Sequence, residues 1–227
     1  LAGGSAAEAT CIWDVGASNK ALLPIGGRPM FHYVVDAWRR AECMTRLIVA
    51  GLPAATTPEP EVDCEVIYLS DRGSAVANVL AALEVTRSGG MVAFSSADIP
   101  LVTPQAIVHF LEACETSGAS LCYPIVERSV MEAQFPGSGR TFRHTLDGDY
   151  CGGDIFGLAP EMARANLPFF QALSAGRKSA LALARALGPG TMLRLLTRRL
   201  RLSGLERRFS AILGAPCKAI VSPYAEI

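Results

Sequence analysis

The sequence predicts an α/β protein: a three-layer, mostly parallel sheet with a helical C-terminal segment. Short apolar runs of strand length alternate with segments whose apolar residues recur at helical spacing, and the loops between them are of ordinary length. Beyond Pro160 the pattern becomes helical, from Leu167 to Leu213. Half of the 227 residues are hydrophobic, which suits a large core and argues against disorder. The expected organisation is one domain over residues 1–227, with a helical insertion or subdomain at about 165–213.

The elements follow in order. Leu1-Ala2-Gly3-Gly4 reads like the end of a strand and its turn with the strand missing, so residues are expected to be absent from both termini. Glycines at a strand end let backbone N–H groups approach an anion, although such a pair is also an ordinary turn. The loop runs on through Gly16-Ala17-Ser18-Asn19 to Lys20. Ala21-Leu22-Leu23-Pro24-Ile25 reads as a short extended segment and Gly26-Gly27-Arg28-Pro29 as a turn. Pro29 opens a helix through Met30, Val34, Val35 and Trp38, with Arg39 and Arg40 near its carboxyl end, where cations are favoured. Strands are expected at 46–51 and 64–69. A helix carrying Val76, Val79, Leu80, Leu83 and Val85 follows, with Asp71 as its expected cap.

Met91-Val92-Ala93-Phe94 is an apolar strand that ends in Ser95-Ser96-Ala97-Asp98-Ile99-Pro100. Pro100 and Pro104 stop the strand, and Thr103 before Pro104 reads as a helix N-cap with proline at the first helical position. Asp98 therefore falls just past the carboxyl end of a buried strand, the edge where ligands bind in open α/β sheets. A carboxylate there can hold a hard cation such as Mg²⁺; it can equally be a turn or capping residue. A strand is expected at 119–126, then a β-ribbon or flap over the polar residues 128–150. Cys151-Gly152-Gly153-Asp154-Ile155-Phe156-Gly157-Leu158 reads as a strand delivering a second carboxylate, Asp154. Pro160 opens another helix, and further helices are expected over 180–187, 192–201 and around Leu205, Phe209 and Ile212. The arginines at 194, 198, 199 and 201 read as a solvated amphipathic face. Cys217 to Val221 closes the chain as a strand.

Composition narrows the function classes. Lysine plus arginine and aspartate plus glutamate both number 21, so bulk charge makes no case for a nucleic acid or an anionic membrane as partner. No apolar run reaches the roughly 18–20 residues of a membrane span. The opening residues have neither the basic flank nor the apolar core of a secretory signal. The seven cysteines are scattered without a C-x-x-C pair and read as reduced, buried thiols of a cytoplasmic protein. No G-x-S-x-G or Cys/His spacing marks a nucleophile, and His32, His109 and His144 fall in two helices and the flap.

Leu1-Ala2-Gly3-Gly4, followed by Asn19-Lys20-Ala21-Leu22-Leu23-Pro24-Ile25-Gly26-Gly27-Arg28-Pro29-Met30, resembles the signature of nucleotidyltransferases of the molybdenum-cofactor guanylyltransferase-like (MobA-like) group. The resemblance extends to Gly73-Ser74 with Asn78, to Ala97-Asp98-Ile99-Pro100-Leu101 and to Gly152-Gly153-Asp154-Ile155-Phe156. It implies a Rossmann-like, glycosyltransferase-A type nucleotide-binding fold. It also implies transfer of a nucleoside monophosphate from an NTP to a phosphorylated small-molecule acceptor, with pyrophosphate released. The loop of Leu1, Ala2, Gly3 and Gly4 would hold the triphosphate and Lys20 would neutralise its charge. Gly73, Ser74 and Asn78 would help fix the base or ribose. Asp98 would bind Mg²⁺, with Asp154 near the metal. Such transfer rests on positioning and charge neutralisation, so one cation and one or two metal-holding carboxylates suffice.

The sequence departs from the pattern in its first loop. Ser5 to Thr10 contains no base, and Glu8 and Asp14 are acidic. Either these acids swing away, or Lys20, Arg28 and the metal hold the phosphates, or the site is degenerate. Two other readings follow: a glycosyltransferase using a nucleotide-sugar, which would not need Lys20, and a non-catalytic nucleotide-binding protein.

Overall fold

The computed structural model describes residues 19–52, 54–55, 57–86, 89–176, 188, 190 and 199–227. The chain divides into two compact units. One holds the described residues of Leu1–Arg87 and Phe94–Val108, with Glu226; the other holds those of Ser88–Ala93 and His109–Ala225, with Ile227. Among the described residues no helix is long and apolar enough to cross a membrane.

In the first unit, Asn19 caps a 3₁₀ turn, Lys20–Leu22, by accepting the Ala21 N–H at 3.0 Å. The expected extended segment is thus a turn at its start. A capping asparagine satisfies an N–H that a strand would have to pair elsewhere. The short antiparallel strands β1 (Pro24–Ile25) and β2 (Arg28–Pro29) lead into α1 (Met30–Arg40). Phe31, Val34, Val35, Ala37 and Trp38 form the buried face of α1. Strands β3 (Arg46–Ala50) and β4 (Glu65–Leu69) pair in parallel, with Leu47 opposite Val66 and Val49 opposite Tyr68. Helix α2 (Ala75–Val85) returns from β4.

Strand β5 (Val92–Ser95) and helix α3 (Pro104–Ser117) follow as expected. Thr103 Oγ1 accepts the Ala106 N–H at 3.2 Å and donates to Glu226 at 2.8 Å. In the second unit, β6 (Leu121–Glu127) is the central strand. It is followed by α4 (Arg128–Gln134), where the sequence suggested ribbon or flap. Arg, Met, Glu, Ala and Gln all favour a helix, but only Met131 is buried, so no apolar period announced it. The expected ribbon is confined to β7 (Arg143–Thr145) and β8 (Gly148–Gly152).

Strand β9 (Ile155–Leu158) continues from β8 along the same edge of β6. The expected single strand is broken between the two for a physical reason. Opposite the break stands Pro124 of β6, which has no N–H to donate. There Gly153 N–H donates to the Pro124 carbonyl at 2.9 Å. Asp154 is thereby displaced from the ladder. A Cβ on Gly153 would lie 2.9 Å from both the Ile227 carbonyl oxygen and Pro124 Cγ, so only glycine fits this approach.

Strand β10 (Cys217–Ser222) runs parallel to β6 on its other edge. The sheet order is β5-β9-β6-β8-β7, with β10 also on β6. The α/β class holds; among the described residues, β3–β4 and β6–β10 are parallel. The pairings β6–β8, β6–β9 and β7–β8 are antiparallel; β7 and β8 are joined by a short turn, which permits only antiparallel pairing.

Helices α5 (Pro160–Ala165), α6 (Leu167–Gly176) and α7 (Leu202–Leu213) belong to the expected helical segment. The helix expected over 180–187 and most of that over 192–201 lie outside the described residues. Arg199 to Arg201 are described and not helical. The Leu200 carbonyl instead accepts the Leu146 N–H at 2.8 Å, and Asp147 accepts from Leu202 N–H at 2.7 Å and from Arg201 at 3.1 Å. Cys114, Cys122, Cys151 and Cys217 are free, buried thiols as expected, but Cys43 is exposed and Cys64 half-buried.

Gly153→Ala is expected to destabilise the protein by about 1–3 kcal/mol through overpacking against backbone that cannot give. Urea unfolding followed by circular dichroism measures this.

Candidate active site

Two buried alanines bring the main candidate residues together. Ala21 and Ala97 lie in one hydrophobic cluster with Phe31, Val35, Leu47, Val49 and Leu52. Lys20 precedes Ala21 and Asp98 follows Ala97, so packing the alanines sets the two charges side by side. The Lys20 ammonium donates to Asp98 Oδ2 at 2.8 Å. Ser96 Oγ donates to the other oxygen, Oδ1, and so fixes the carboxylate plane. Both groups keep access to solvent, Lys20 being 47% and Asp98 32% exposed. Burial pushes the Asp98 carboxyl up, but the hydrogen bonds from Lys20 and Ser96 and the ammonium charge outweigh it, leaving a net downward shift. Asp98 is therefore ionised at neutral pH and presents hard oxygen donors.

Arg28, the other cation considered for phosphates, is committed elsewhere. It reaches Asp36 at 2.6 Å and lies 5.4 Å from the centre of the Tyr33 ring. The hydrogen bond to Asp36 raises its pKa further above the usual range.

The loop after β4 is organised by Asn78, whose side chain is buried within α2. Its Oδ1 accepts the Arg72 N–H at 2.7 Å and its Nδ2 donates to Asp71 Oδ1 at 3.0 Å. The same Asp71 oxygen accepts the Gly73 N–H at 3.0 Å. Gly73 has φ +80°, a left-handed conformation natural to glycine. Asp71 does not cap α2 as expected. Ser74 does, accepting the Ala77 N–H at 3.1 Å, because its hydroxyl stands three residues before that donor. Asp71 and Asn78 hold the shape of this loop, and Gly73 and Ser74 present it.

In the second unit, Asp154 stands at the break between β8 and β9 and accepts from Arg140 at 2.6 Å. On the β7–β8 ribbon, His144 Nδ1 lies 2.6 Å from Asp149, which also meets Arg128 at 3.2 Å. Leu1, Ala2, Gly3 and Gly4 lie outside the described residues, as do Glu8 and Asp14. Among the described residues no three or more His, Cys, Asp or Glu side chains gather as a ready cation cage. Sequence reasoning missed Ser96, Asn19, Arg140 and the Asp71–Asn78 contact. Ser96 and Asn19 left a faint local signal, a short polar side chain within two residues of Asp98 or at the turn; the other two needed the tertiary fold.

The fold is that of nucleotidyltransferases. The 2-C-methyl-D-erythritol 4-phosphate cytidylyltransferase of Thermus thermophilus matches with a TM-score of 0.51 and 18% identity, over 92% of this chain and 86% of that one. The 4-diphosphocytidyl-2C-methyl-D-erythritol synthase of Anaerococcus prevotii matches with a TM-score of 0.56 and 8% identity, over 91% and 85%. At these identities the likeness is one of fold. A structure from Thermus thermophilus described as a hypothetical transferase is 36% identical with a TM-score of 0.86, over 100% of this chain and 92% of that one. The profile of the MobA-like NTP transferase domain matches residues 1–202. The chain belongs to the MobA-like NTP transferase family and is a nucleotidyltransferase. No curated protein matches the sequence.

The lowered pKa of Asp98 has a definite sign. A carboxyl shifted down on folding contributes stability above its unfolded value, about 3.9, and that contribution is lost as pH falls through the folded value. Wild type is expected to lose stability relative to Asp98→Asn as pH is lowered from 7 to 3, read as a narrowing or inversion of the difference in Tm.

Proposed function

We propose that this enzyme transfers a nucleoside monophosphate from an NTP to a phosphorylated small-molecule acceptor, releasing pyrophosphate, with Mg²⁺ as cofactor. The observation that carries the proposal is the Lys20–Asp98 pair at the carboxyl end of β5, in a chain of the MobA-like family. The phosphorylated acceptor class is supported by the cytidylyltransferase named above, whose own acceptor carries a phosphate. In the reaction, an oxygen of the acceptor phosphate bonds to the α-phosphorus. The bond from that phosphorus to the bridging oxygen breaks, and pyrophosphate leaves with the electron pair.

The residues present suit Mg²⁺, which takes one or two carboxylates and keeps waters and substrate phosphates as its other ligands. Asp98 would hold it in the first unit, and Asp154 is a candidate metal-holding carboxylate of the second. When bound, Mg²⁺ supplies neutralisation of charge on phosphate oxygens. Lys20 donates to the triphosphate and stabilises charge that grows on the leaving oxygens. The loop of Leu1, Ala2, Gly3 and Gly4 would cradle the triphosphate through backbone N–H groups. Gly73 and Ser74 line the base or ribose. Asn78 acts on the same moiety through the loop it shapes, together with Asp71.

Lys20→Ala and Asp98→Ala are each expected to lower kcat/KM by roughly 10²–10³-fold, the scale of a lost charge-stabilising group. Removing so exposed an ion pair should cost only about 0–1 kcal/mol of stability. Steady-state pyrophosphate release over a panel of ATP, CTP, GTP and UTP with phosphorylated acceptors, with Mg²⁺ or EDTA, checks the first. Thermal unfolding checks the second. The preferred NTP at about one hundred times its dissociation constant should stabilise wild type by about 2.7 kcal/mol. No response to any NTP with Mg²⁺ would overturn the proposal.

A further inference from the structure

Two carboxylates were singled out from the sequence as metal ligands, and in the structure each holds a cation of the chain itself. Asp98 holds Lys20 at 2.8 Å, and Asp154 holds Arg140 at 2.6 Å. The two pairs lie in different units and are each complete within their own. They are built alike. In each, the carboxylate is the anchored partner. Asp98 follows buried Ala97 and is bonded by Ser96; Asp154 follows Gly153, whose backbone is wedged against Ile227 and Pro124. In each, the cation sits on a long side chain outside α-helix and strand: Lys20 on the 3₁₀ turn, Arg140 in the irregular segment just beyond Gly137 and Gly139. In each, both partners remain about a third or more exposed, so a ligand can reach them.

From this we infer that Lys20 and Arg140 are resident counter-ions of the metal-holding carboxylates, and that Arg140 is a second substrate-phosphate residue of the enzyme. The inference rests on the proposed function. A carboxylate oxygen engaged by an ammonium or guanidinium is not open to a divalent cation, and like charges at contact distance repel. Entry of the metal therefore requires the resident cation to leave. The departing head remains tethered near the same place and needs new anionic oxygens, which an incoming phosphate provides. A guanidinium suits that task because its planar fork matches two phosphate oxygens. The exchange makes metal alone a poor ligand and metal with phosphate a good one. It is a coupling between two ligands through shared contacts.

The test uses the full chain and Mn²⁺ as the probe, with free Mn²⁺ read by electron paramagnetic resonance, alone and with the NTP that stabilises wild type. Lys20→Met and Arg140→Met remove the resident charge and keep an unbranched stem; Arg140→Lys keeps the charge. Circular dichroism melting confirms that each variant folds. Lys20→Met and Arg140→Met are expected to bind Mn²⁺ alone roughly two- to fivefold more tightly than wild type, the scale of one exposed ion pair. Both are expected to bind Mn²⁺ in the presence of that NTP more weakly. Arg140→Lys should restore the wild-type response to Mn²⁺ alone. If wild type binds Mn²⁺ with NTP but neither Met variant changes the affinity for Mn²⁺ alone, the counter-ion inference is wrong and the proposed function stands. If Arg140→Met leaves Mn²⁺ binding unchanged both alone and with that NTP, the role of Arg140 falls. If wild type binds no Mn²⁺ with any NTP, the proposed function fails and this inference fails with it.

Discussion

The packing of Ala21 against the cluster that contains Ala97 is the constraint on which the candidate site depends. Neither alanine has a side chain that could reach a ligand. Their small size lets a turn and a strand end approach the same apolar cluster formed by Phe31, Val35, Leu47, Val49 and Leu52. Once both are buried, the residues beside them have little freedom, and a lysine and an aspartate far apart in sequence meet at 2.8 Å. The strength of this arrangement lies in apolar burial, which is worth about 25 cal/mol per Å² and is not screened by salt as an ion pair is. The ion pair contributes little to the fold by comparison, because both its groups are open to water. The charges are thus held by a framework that does not depend on them, which leaves them available for a ligand.

A second constraint shapes the other unit. Proline in a central strand cannot complete the ladder, and the facing chain answers with a break at Gly153 and Asp154. The break needs a residue without Cβ, since the Ile227 carbonyl and the Pro124 ring fill the space. The adjacent aspartate is turned out of the sheet and meets Arg140. One residue type thus disrupts a strand, a second tolerates the disruption and a third uses it. The loop after β4 follows the same logic in polar form. A buried asparagine would be costly without partners, and it finds them in Arg72 N–H and Asp71, so satisfying Asn78 shapes the loop.

Much of the fold was legible in the chain. The boundaries of α1, β3, β4, α2, β5 and α3 follow from apolar period and from prolines and caps that act within a few residues of themselves. Helix α4 escaped because it buries a single residue, and the cap of α2 was misassigned because Asp71 and Ser74 are both capping types whose geometry alone separates them. Of the site, Lys20 and Asp98 stood out by residue type and position. Arg140 did not, since an arginine in a polar loop has no local mark of its partner.

By itself the sequence determined the α/β class, the placing of Asp98 past a strand end, and the membership that its motifs shared with MobA-like NTP transferases. These depend on residues near one another along the chain, where period, capping and steric exclusion act. Only the tertiary structure decided that Lys20 meets Asp98, that Arg140 meets Asp154, that Arg28 is spent on Asp36, and that the sheet is mixed in direction. Those outcomes depend on which apolar surfaces bury one another, and a contact between distant residues leaves no trace in the spacing of either.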